Sequence, residues 1–364
     1  MIDSILFSST KIGQLRLINR FVRSATHDYL AEEKTGATTE KQIELYRQLA
    51  EGEIGLIITG HAYVHLSGKA SPRQLAVDED SKISSLSTLA EAVHKTGSGS
   101  LIFLQIAHAG RQTKLNLCQQ TPIAPSAVYD PVSKVMPREL TSEEIYQIID
   151  WFTRAAVRAS RAGFDGVQIH AAHGYLLSSF ISPHTNRRND QWGGSWEKRS
   201  RILREIIRGI KETCGQNFTV MIKMNATDFL PDGITLDEAQ EIAVSLEKAG
   251  LDAMEVSGGM NEAGRGSVWP SLRSEEEEGY FIPYASAIKK NLKIPVGGLG
   301  GIRTLKVAEG FVASGLVDLI SISRPFINEP YILLKFKSGE WKKSPCISCN
   351  KCFNFRGIRC AQAK

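Results

Sequence analysis

The sequence lacks the features that mark secreted, membrane-spanning and nucleic-acid-binding proteins. Its start, MIDSILFSSTKIGQL, has no basic stretch followed by an apolar core, and so does not resemble a signal peptide. No apolar run approaches the ~20 residues that are needed to span a bilayer. The net charge of +5 is small for 364 residues, so it mildly favours anionic ligands and gives no nucleic-acid pattern. We therefore expect a cytoplasmic protein that has neither a membrane nor a nucleic acid as a partner.

The chain also lacks a Pro/Gly-rich linker, and eight short apolar runs follow one another with helical patterns between them. The runs show no polar alternation, as expected for parallel strands that are buried on both faces. They span residues 21–25, 54–60, 100–107, 166–170, 218–224, 252–258, 294–299 and 318–324. Eight such units predict an α/β fold of the (β/α)8 TIM-barrel type. The competing doubly wound sheet would need a GxGxxG turn after its first strand, and THDYLAEEKTGA has none.

Three helical patterns begin with a threonine and carry Gln or Glu three residues later, which predicts reciprocal hydrogen bonds in capping boxes. The pairs are Thr39 and Gln42, Thr141 and Glu144, and Thr235 and Glu238. The same helices end near a glycine, which adopts the left-handed conformation at low cost. These glycines are Gly52, Gly163 and Gly250.

Three long irregular stretches follow predicted strands, at residues 107–140, 171–198 and 258–280. We therefore place them at the C-terminal mouth of the barrel, where enzymes with this fold keep their sites. The acidic run SEEEE (274–278) lies in the last stretch, and we expect it to be a solvated loop.

The ends of the last two strands predict a phosphate site. Gly297, Gly298, Gly300 and Gly301 would let backbone amides approach a ligand closely. Arg324 supplies a fixed positive charge. Barrels commonly hold phosphate in these two loops. The alternative is that the glycines only form tight turns.

The stretch QIHAAHGYLLSSF (168–180) places His170 at the end of the fourth strand and His173 and Tyr175 just after it. Two imidazoles that donate to one oxygen would bind a carbonyl and stabilise developing enolate charge. A nearby phenol could deliver a proton. Zinc binding by the two histidines is the alternative, but it needs a further ligand, and no HExxH or similar pattern accompanies them.

Four of the six cysteines crowd into the last nineteen residues with the spacing C-x2-C-x2-C-x7-C. They are Cys346, Cys349, Cys352 and Cys360. In a reducing compartment such a cluster indicates metal ligation before disulfides. An iron–sulfur cluster takes four thiolates, zinc also accepts four, and a tail without metal is the third alternative.

These segments resemble the Old Yellow Enzyme family of flavin-dependent oxidoreductases, in particular its NADH:flavin oxidoreductase and 2,4-dienoyl-CoA reductase-like branch. The most specific match is GFDGVQIHAAHGYLLSSFISPHTNRRNDQWGGSWEKR (163–199). The other matches are NRFVRSATHD (19–28), GLIITG (55–60), QIAHAGRQ (105–112), VGGLGG (296–301) and SRPFINEP (323–330). The resemblance implies that residues 1–340 form a barrel with FMN bound noncovalently at its mouth, followed by a cysteine-rich tail, residues 341–364.

The resemblance also implies which residues bind FMN. Gln105 would bond the pyrimidine ring, and His170 would contact both the flavin and a substrate oxygen. Lys223 stands where relatives commonly have arginine, and would stabilise the reduced, anionic flavin. His27 and His61 would lie near the flavin, where many relatives have a small residue in place of His61. The implied FMN-binding residues are Ser24, Ala25, Thr26, Gly60, Gln105, His170, Lys223, Gly300, Gly301, Ser323 and Arg324.

The reaction that the resemblance implies is the reduction of a C=C bond in α,β-unsaturated carbonyl compounds by NAD(P)H. Hydride would pass from flavin N5 to the β carbon, His170 and His173 would polarise the carbonyl, and Tyr175 would protonate the α carbon. In that branch a similar cysteine tail binds a [4Fe-4S] cluster, although the gaps between the later cysteines are shorter here. A separate electron-transfer protein could therefore supply electrons. The alternative in another class is a non-catalytic barrel that only binds ligands. We also expect that the chain can assemble into a homo-oligomer.

Overall fold

Eight parallel strands form a closed barrel in the computed structural model, which describes residues 3–264, 266–354 and 356–362. The strands are β1 (Phe21–Arg23), β2 (Leu56–Ile58), β3 (Leu101–Ala107), β4 (Gly166–Ala171), β5 (Thr219–Asn225), β6 (Ala253–Ser257), β7 (Val296–Gly298) and β8 (Leu319–Ile322). Their order is β2-β1-β8-β7-β6-β5-β4-β3, and pairing of β2 with β3 closes the ring. The predicted TIM barrel is confirmed.

A helix follows each strand and packs on the outside of the barrel. These helices are α1 (Glu40–Glu51), α2 (Ile83–His94), α3 (Ser142–Arg161), α4 (Arg201–Cys214), α5 (Leu236–Lys248), α6 (Ile282–Lys289), α7 (Leu305–Ala313) and α8 (Ile332–Ser338). In the described part of the chain, four shorter α-helices lie in the loops: Leu115–Cys118, Leu176–Ile181, Trp196–Arg199 and Arg324–Asn328. Among the described residues, no helix is long and apolar enough to cross a membrane.

An antiparallel hairpin, Thr10–Ile12 with Leu15–Leu17, covers the N-terminal end of the barrel. Its Ile12 and Leu17 are fully buried and pack in one cluster with apolar side chains from inside the strands, including Phe103. Two further short pairings lie at the other end: Ala62–Tyr63 beside β3, and Ile123–Ala124 with Arg138–Glu139. The hairpin therefore covers the N-terminal end of the barrel, and the C-terminal mouth is the end at which the long loops gather.

Only one of the three predicted capping boxes is complete. Thr141 accepts from the Glu144 amide and the Glu144 carboxylate accepts from the Thr141 amide. Thr39 and Thr235 cap their helices, but the predicted return bonds are wrong. The Gln42 amide group donates instead to buried Asp28, and the Glu238 carboxylate binds a guanidinium. Both side chains therefore form hydrogen bonds with residues from other segments instead of the helix backbone.

The predicted glycine caps hold at two of three helix ends. Gly163 and Gly250 have φ of +84° and +105°. Gly52, however, has φ of −73°, and Glu53 takes the left-handed conformation, with φ of +57°. At Gly52 the reason for glycine is close approach, since a Cβ would lie 2.3 Å from the Pro330 carbonyl oxygen.

The acidic run is only partly a solvated loop. Its residues 275–277 are exposed, whereas Glu278 is buried and pairs with Arg303 at 3.3 Å. The Glu278 carboxylate also accepts the backbone amides of Arg303 and Thr304, at 2.8 and 2.9 Å. It therefore fixes the start of α7 to the loop that precedes α6.

Candidate active site

The mouth of the barrel opens into a cavity of about 380 Å³, a size typical of small-molecule sites. Ten of the eleven predicted FMN-binding residues line it: Ser24, Ala25, Thr26, Gln105, His170, Lys223, Gly300, Gly301, Ser323 and Arg324. His27, His61, His173 and Tyr175 line it too. Gly60 is not among the lining residues, and its amide donates to the Tyr46 hydroxyl at 2.8 Å. Its flavin contact stays a prediction.

His170 reaches the cavity from the end of β4. Its side chain is almost wholly buried, and its Nδ1 has no hydrogen-bond partner among the described residues. Burial, reinforced by the neighbouring His173, lowers the pKa of His170 well below its usual value. The ring is therefore neutral at pH 7 and has a buried nitrogen available to a ligand.

His173 sits in a left-handed turn with φ of +63°, which is uncommon for a residue with a side chain. Asn225 accepts its amide at 3.1 Å, and Gln112 donates to its carbonyl at 2.8 Å. Its Nε2 lies 2.8 Å from the Ser257 hydroxyl, and its ring centre lies 5.4 Å from that of His170. Burial lowers the pKa of His173 to about 3. Both imidazoles are thus neutral and fixed in place.

Tyr175 precedes the short helix Leu176–Ile181 and points into the same cavity. Its ring centre lies 4.8 Å from that of His170 and 5.4 Å from that of His61. Burial raises the pKa of the Tyr175 phenol above its usual value, so the group is protonated at pH 7. The arrangement therefore combines neutral imidazoles with a neutral acid.

The floor of the cavity is a buried chain of polar side chains. The Gln105 amide group donates to Gln168 at 2.7 Å, and Gln168 donates to Glu255 at 2.9 Å. Glu255 lies 3.4 Å from the Lys223 ammonium, which donates to Ser24 at 2.8 Å. Because the Gln105 amide group is held through its nitrogen, its carbonyl oxygen can accept a hydrogen bond from a ligand.

Gly300 and Gly301, at the end of β7, have positive φ of +126° and +70°. Across the cavity, Ser323 and Thr26 share a hydrogen bond of 2.5 Å between their hydroxyls. Arg324 donates from Nη1 to the carbonyls of Trp269 and Ser348, at 2.9 and 3.2 Å. Among the described residues it has no ion pair with a carboxylate, so its charge remains available to an anion.

A flavin mononucleotide fits these residues. The described lining contains two cations, Lys223 and Arg324, and no carboxylate, so the cavity favours an anionic group such as a phosphate. The buried His170 Nδ1 and Ser321 Oγ have no partner in the described part of the chain. Buried polar groups normally have hydrogen-bond partners, and a ligand with several acceptors and donors would supply them.

The four tail cysteines border one small cavity, together with Arg324. None forms a disulfide, and burial raises the pKa of the Cys346 and Cys352 thiols. Within the described ranges, no group of three or more Cys, His, Asp or Glu side chains is placed so that it could hold a metal ion. The predicted metal site therefore has no support from this arrangement.

Several lining residues were not predicted, among them Tyr29, Gln112, Asn261 and Phe353. Gln112 ends the matched segment QIAHAGRQ, so its position near the mouth could have been recognised. Phe353 could not, because its place depends on how the tail folds back. The Ile358 amide donates to the Asp28 carbonyl at 2.7 Å, which brings the tail to the loop after β1.

Known proteins resemble this chain over nearly its whole length. It is 41% identical over 350 residues to an NADH oxidase of Thermoanaerobacter brockii, and 35% identical over 349 residues to a metal reductase of Desulforamulus reducens. These alignments cover 95% and 96% of this chain but 52% and 51% of the relatives, so the chain spans about half their length.

Solved structures give the same result. A 2-naphthoyl-CoA reductase in complex with 2-naphthoyl-CoA superposes with a TM-score of 0.88 at 31% identity, over 96% of this chain and 54% of that one. An Old Yellow Enzyme homologue from Zymomonas mobilis superposes with a TM-score of 0.80 at 27% identity, over 94% and 95% of the two chains. The model of the NADH:flavin oxidoreductase / NADH oxidase family matches residues 5–343. The chain belongs to this family.

Proposed function

We propose that the protein is an FMN-dependent oxidoreductase that uses NAD(P)H to reduce a C=C bond conjugated to a carbonyl group. The observation that carries this proposal is the meeting of His170, His173 and Tyr175 in one cavity, with both imidazoles neutral and the phenol protonated. Family membership and the morphinone reductase among the similar structures support the flavin chemistry. Bound FMN would supply the hydride.

The two histidines would bind the carbonyl oxygen of the substrate. A neutral imidazole carries one N–H donor, and two donors that converge on one oxygen stabilise negative charge that develops there. Because the pKa of both rings is lowered, they act as hydrogen-bond donors and transfer no proton themselves at pH 7. Tyr175, which lies beside His170, is the remaining acid in this group and would donate the proton to the α carbon.

The cofactor would be held by residues on the floor of the cavity and by residues at the ends of β7 and β8. The carbonyl oxygen of Gln105 would accept a hydrogen bond from the pyrimidine ring, and Lys223 would place positive charge beside it. The backbones of Gly300 and Gly301 and the guanidinium of Arg324 would bind the phosphate. The absence of any carboxylate from the described lining supports this assignment.

A direct test begins with the visible spectrum of the purified protein after incubation with FMN. We expect a flavin spectrum that bleaches on anaerobic addition of NADH or NADPH and returns when a cyclic enone is added, with the saturated ketone as product. Protein that takes up no FMN would contradict the proposal. So would a reduced flavin that none of a panel of enones and enoyl-CoA thioesters can reoxidise.

A second candidate concerns electron delivery through the tail. The four cysteines share one cavity with Arg324, which also lines the large cavity, so a redox centre there would lie beside the flavin. The described arrangement of the four cysteines is not that of a metal site, so this alternative requires the tail to fold differently around a [4Fe-4S] cluster. Such a cluster would receive electrons from a separate protein, whereas zinc would make the tail purely structural. Iron, acid-labile sulfide and zinc analysis of anaerobically purified protein distinguishes these cases.

A further inference from the structure

A chain of hydrogen bonds fixes which nitrogen of His61 carries the proton. The backbone amide of Ala70 donates to Gln74 Oε1 at 2.7 Å, so the amide group of Gln74 has only one orientation that satisfies it. Gln74 then directs its Nε2 at His61 Nδ1, also at 2.7 Å. Because Gln74 Nε2 is a donor, His61 Nδ1 must accept, and the proton of the neutral ring lies on Nε2.

That proton faces the phenol of Tyr175. His61 Nε2 lies 3.5 Å from the Tyr175 hydroxyl oxygen, at the outer limit of hydrogen bonding, and the two rings meet nearly edge to face. Such contacts often tighten once a substrate is bound. Burial lowers the pKa of His61 to about 4, so the ring is neutral at pH 7 and keeps its single donor on this side.

We propose that His61 is the positioning residue for Tyr175. Its Nε2–H donates to the phenol oxygen, which leaves the phenol hydrogen free to point into the cavity. When the O–H bond of Tyr175 breaks and a C–H bond forms on the substrate, the electron pair stays on the phenolate, and His61 stabilises that charge. Water returns the proton to the phenolate before the next turnover. This role rests on the proposed function, in which Tyr175 is the proton donor.

The sequence alone gives no hint of this role, because Gln74 lies outside the mouth motifs and is fully buried. The alternative is that His61 only fills space between its neighbours, since its ring also lies 4.6 Å from that of His27. A space-filling residue would be replaced equally well by any side chain of similar size. A donor would be replaced only by another donor, and this difference defines the experiments.

The first experiment needs no turnover. Long-range ¹H–¹⁵N spectra of protein labelled at histidine, with and without FMN, report the tautomer of each ring, and the His61 signals are those lost in His61→Leu. We expect the proton on Nε2 in the wild type. In Gln74→Glu, whose carboxylate can only accept, we expect it on Nδ1. A wild-type ring with its proton on Nδ1 would overturn the proposal, whatever the enzyme reduces.

The second experiment measures how fast NADH-reduced holoenzyme is reoxidised by an enone, relative to ferricyanide, which requires no proton from Tyr175. Loss of one hydrogen bond to a charged oxygen predicts a drop of about tenfold in this ratio for His61→Leu. We expect Gln74→Glu to behave similarly and His61→Gln, which restores a donor, to recover most of the ratio.

A double variant separates positioning from packing. In a Tyr175→Phe background, His61→Leu should cause no further loss, because the group on which His61 acts is gone. If the losses of the two single variants multiply in the double variant, the proposal is overturned. Equal ratios in His61→Leu and His61→Gln would also overturn it. If wild-type holoenzyme reduces no enone, the proposed function fails by itself, while the tautomer experiment still decides the hydrogen-bond chain.

Discussion

Arg324 donates from Nη1 to the side-chain oxygen of Asn350 at 2.7 Å, and so joins the last barrel strand to the cysteine tail. Two backbone carbonyls, those of Trp269 and Ser348, accept from the same nitrogen. The guanidinium is therefore held in one orientation before any ligand arrives. Preorganised charge of this kind improves binding because less conformational freedom is lost when the anion binds.

The first prediction follows from this anchoring. Arg324→Lys keeps the charge but loses the fixed planar donor, and we expect it to weaken FMN binding about tenfold. Asn350→Ala leaves the arginine in place but removes one restraint, so we expect a smaller, few-fold loss. Quenching of flavin fluorescence during titration of FMN-free protein measures both. Arg208→Lys, at an exposed position of α4, is the matched control and should bind FMN as the wild type does.

The second prediction concerns the proton donor. In Tyr175→Phe, enone reduction should fall about 100-fold, the lower range of what a positioned general acid contributes. Reduction of the flavin by NAD(P)H should be spared, because that step takes no proton from Tyr175. Stopped-flow spectroscopy separates the two half-reactions. Tyr146→Phe, on the exposed side of α3, should change neither, and unchanged enone reduction in Tyr175→Phe would exclude this residue as the donor.

The third prediction is a loss of stability in acid. Partial burial lowers the pKa of His61 from 6.5 to about 4, so between these values the unfolded chain binds a proton that the folded chain does not. Stability from this group is complete above pH 6.5 and is lost as the pH falls, by about 1.4 kcal/mol per pH unit. His173, with its pKa lowered to about 3, adds in the same direction.

Thermal unfolding between pH 7.5 and 5 measures this effect. We expect the melting temperature of the wild type to fall over this range, and the fall to be smaller in His61→Gln. His94 has the opposite sign, because Asp165 raises its pKa, so its contribution is present at low pH and is lost as the pH rises. In His94→Gln the fall should therefore be larger than in the wild type. Equal falls in the two variants would contradict the assignment.

The barrel could be predicted from the sequence because strands buried on both faces consist mostly of consecutive apolar residues. All seven positions of β5 are buried, for example, and they include Lys223 and Asn225, whose polar heads reach the mouth. What the sequence did not predict are the partners of polar side chains from distant segments. Gln42 has the spacing of a capping box, yet its amide group is held by Asp28. Local spacing predicts which hydrogen bonds a polar side chain could form, and contacts with distant segments decide which one it forms.

At the site, too, the sequence predicted which residues are present but not their partners. His170, His173 and Tyr175 could be found because they lie within six residues at the end of one strand and directly after it. Their protonation states required the structure, because burial and neighbouring rings set each pKa. The link from Gln74 to His61 spans a loop whose conformation no periodicity describes.

The last prediction compares the same substitution at two glycines. Gly52→Ala should destabilise the protein by about 1–3 kcal/mol, because the new Cβ would lie 2.3 Å from the Pro330 carbonyl oxygen and force the end of α1 away from the segment before α8. Gly310→Ala should instead stabilise it by about 1 kcal/mol, because Gly310 lies inside α7 with open space around it, and alanine is the better helix former. Urea unfolding followed by circular dichroism measures both changes on one scale. Two changes of the same sign would show that the packing between α1 and the Pro330 segment differs from the arrangement described.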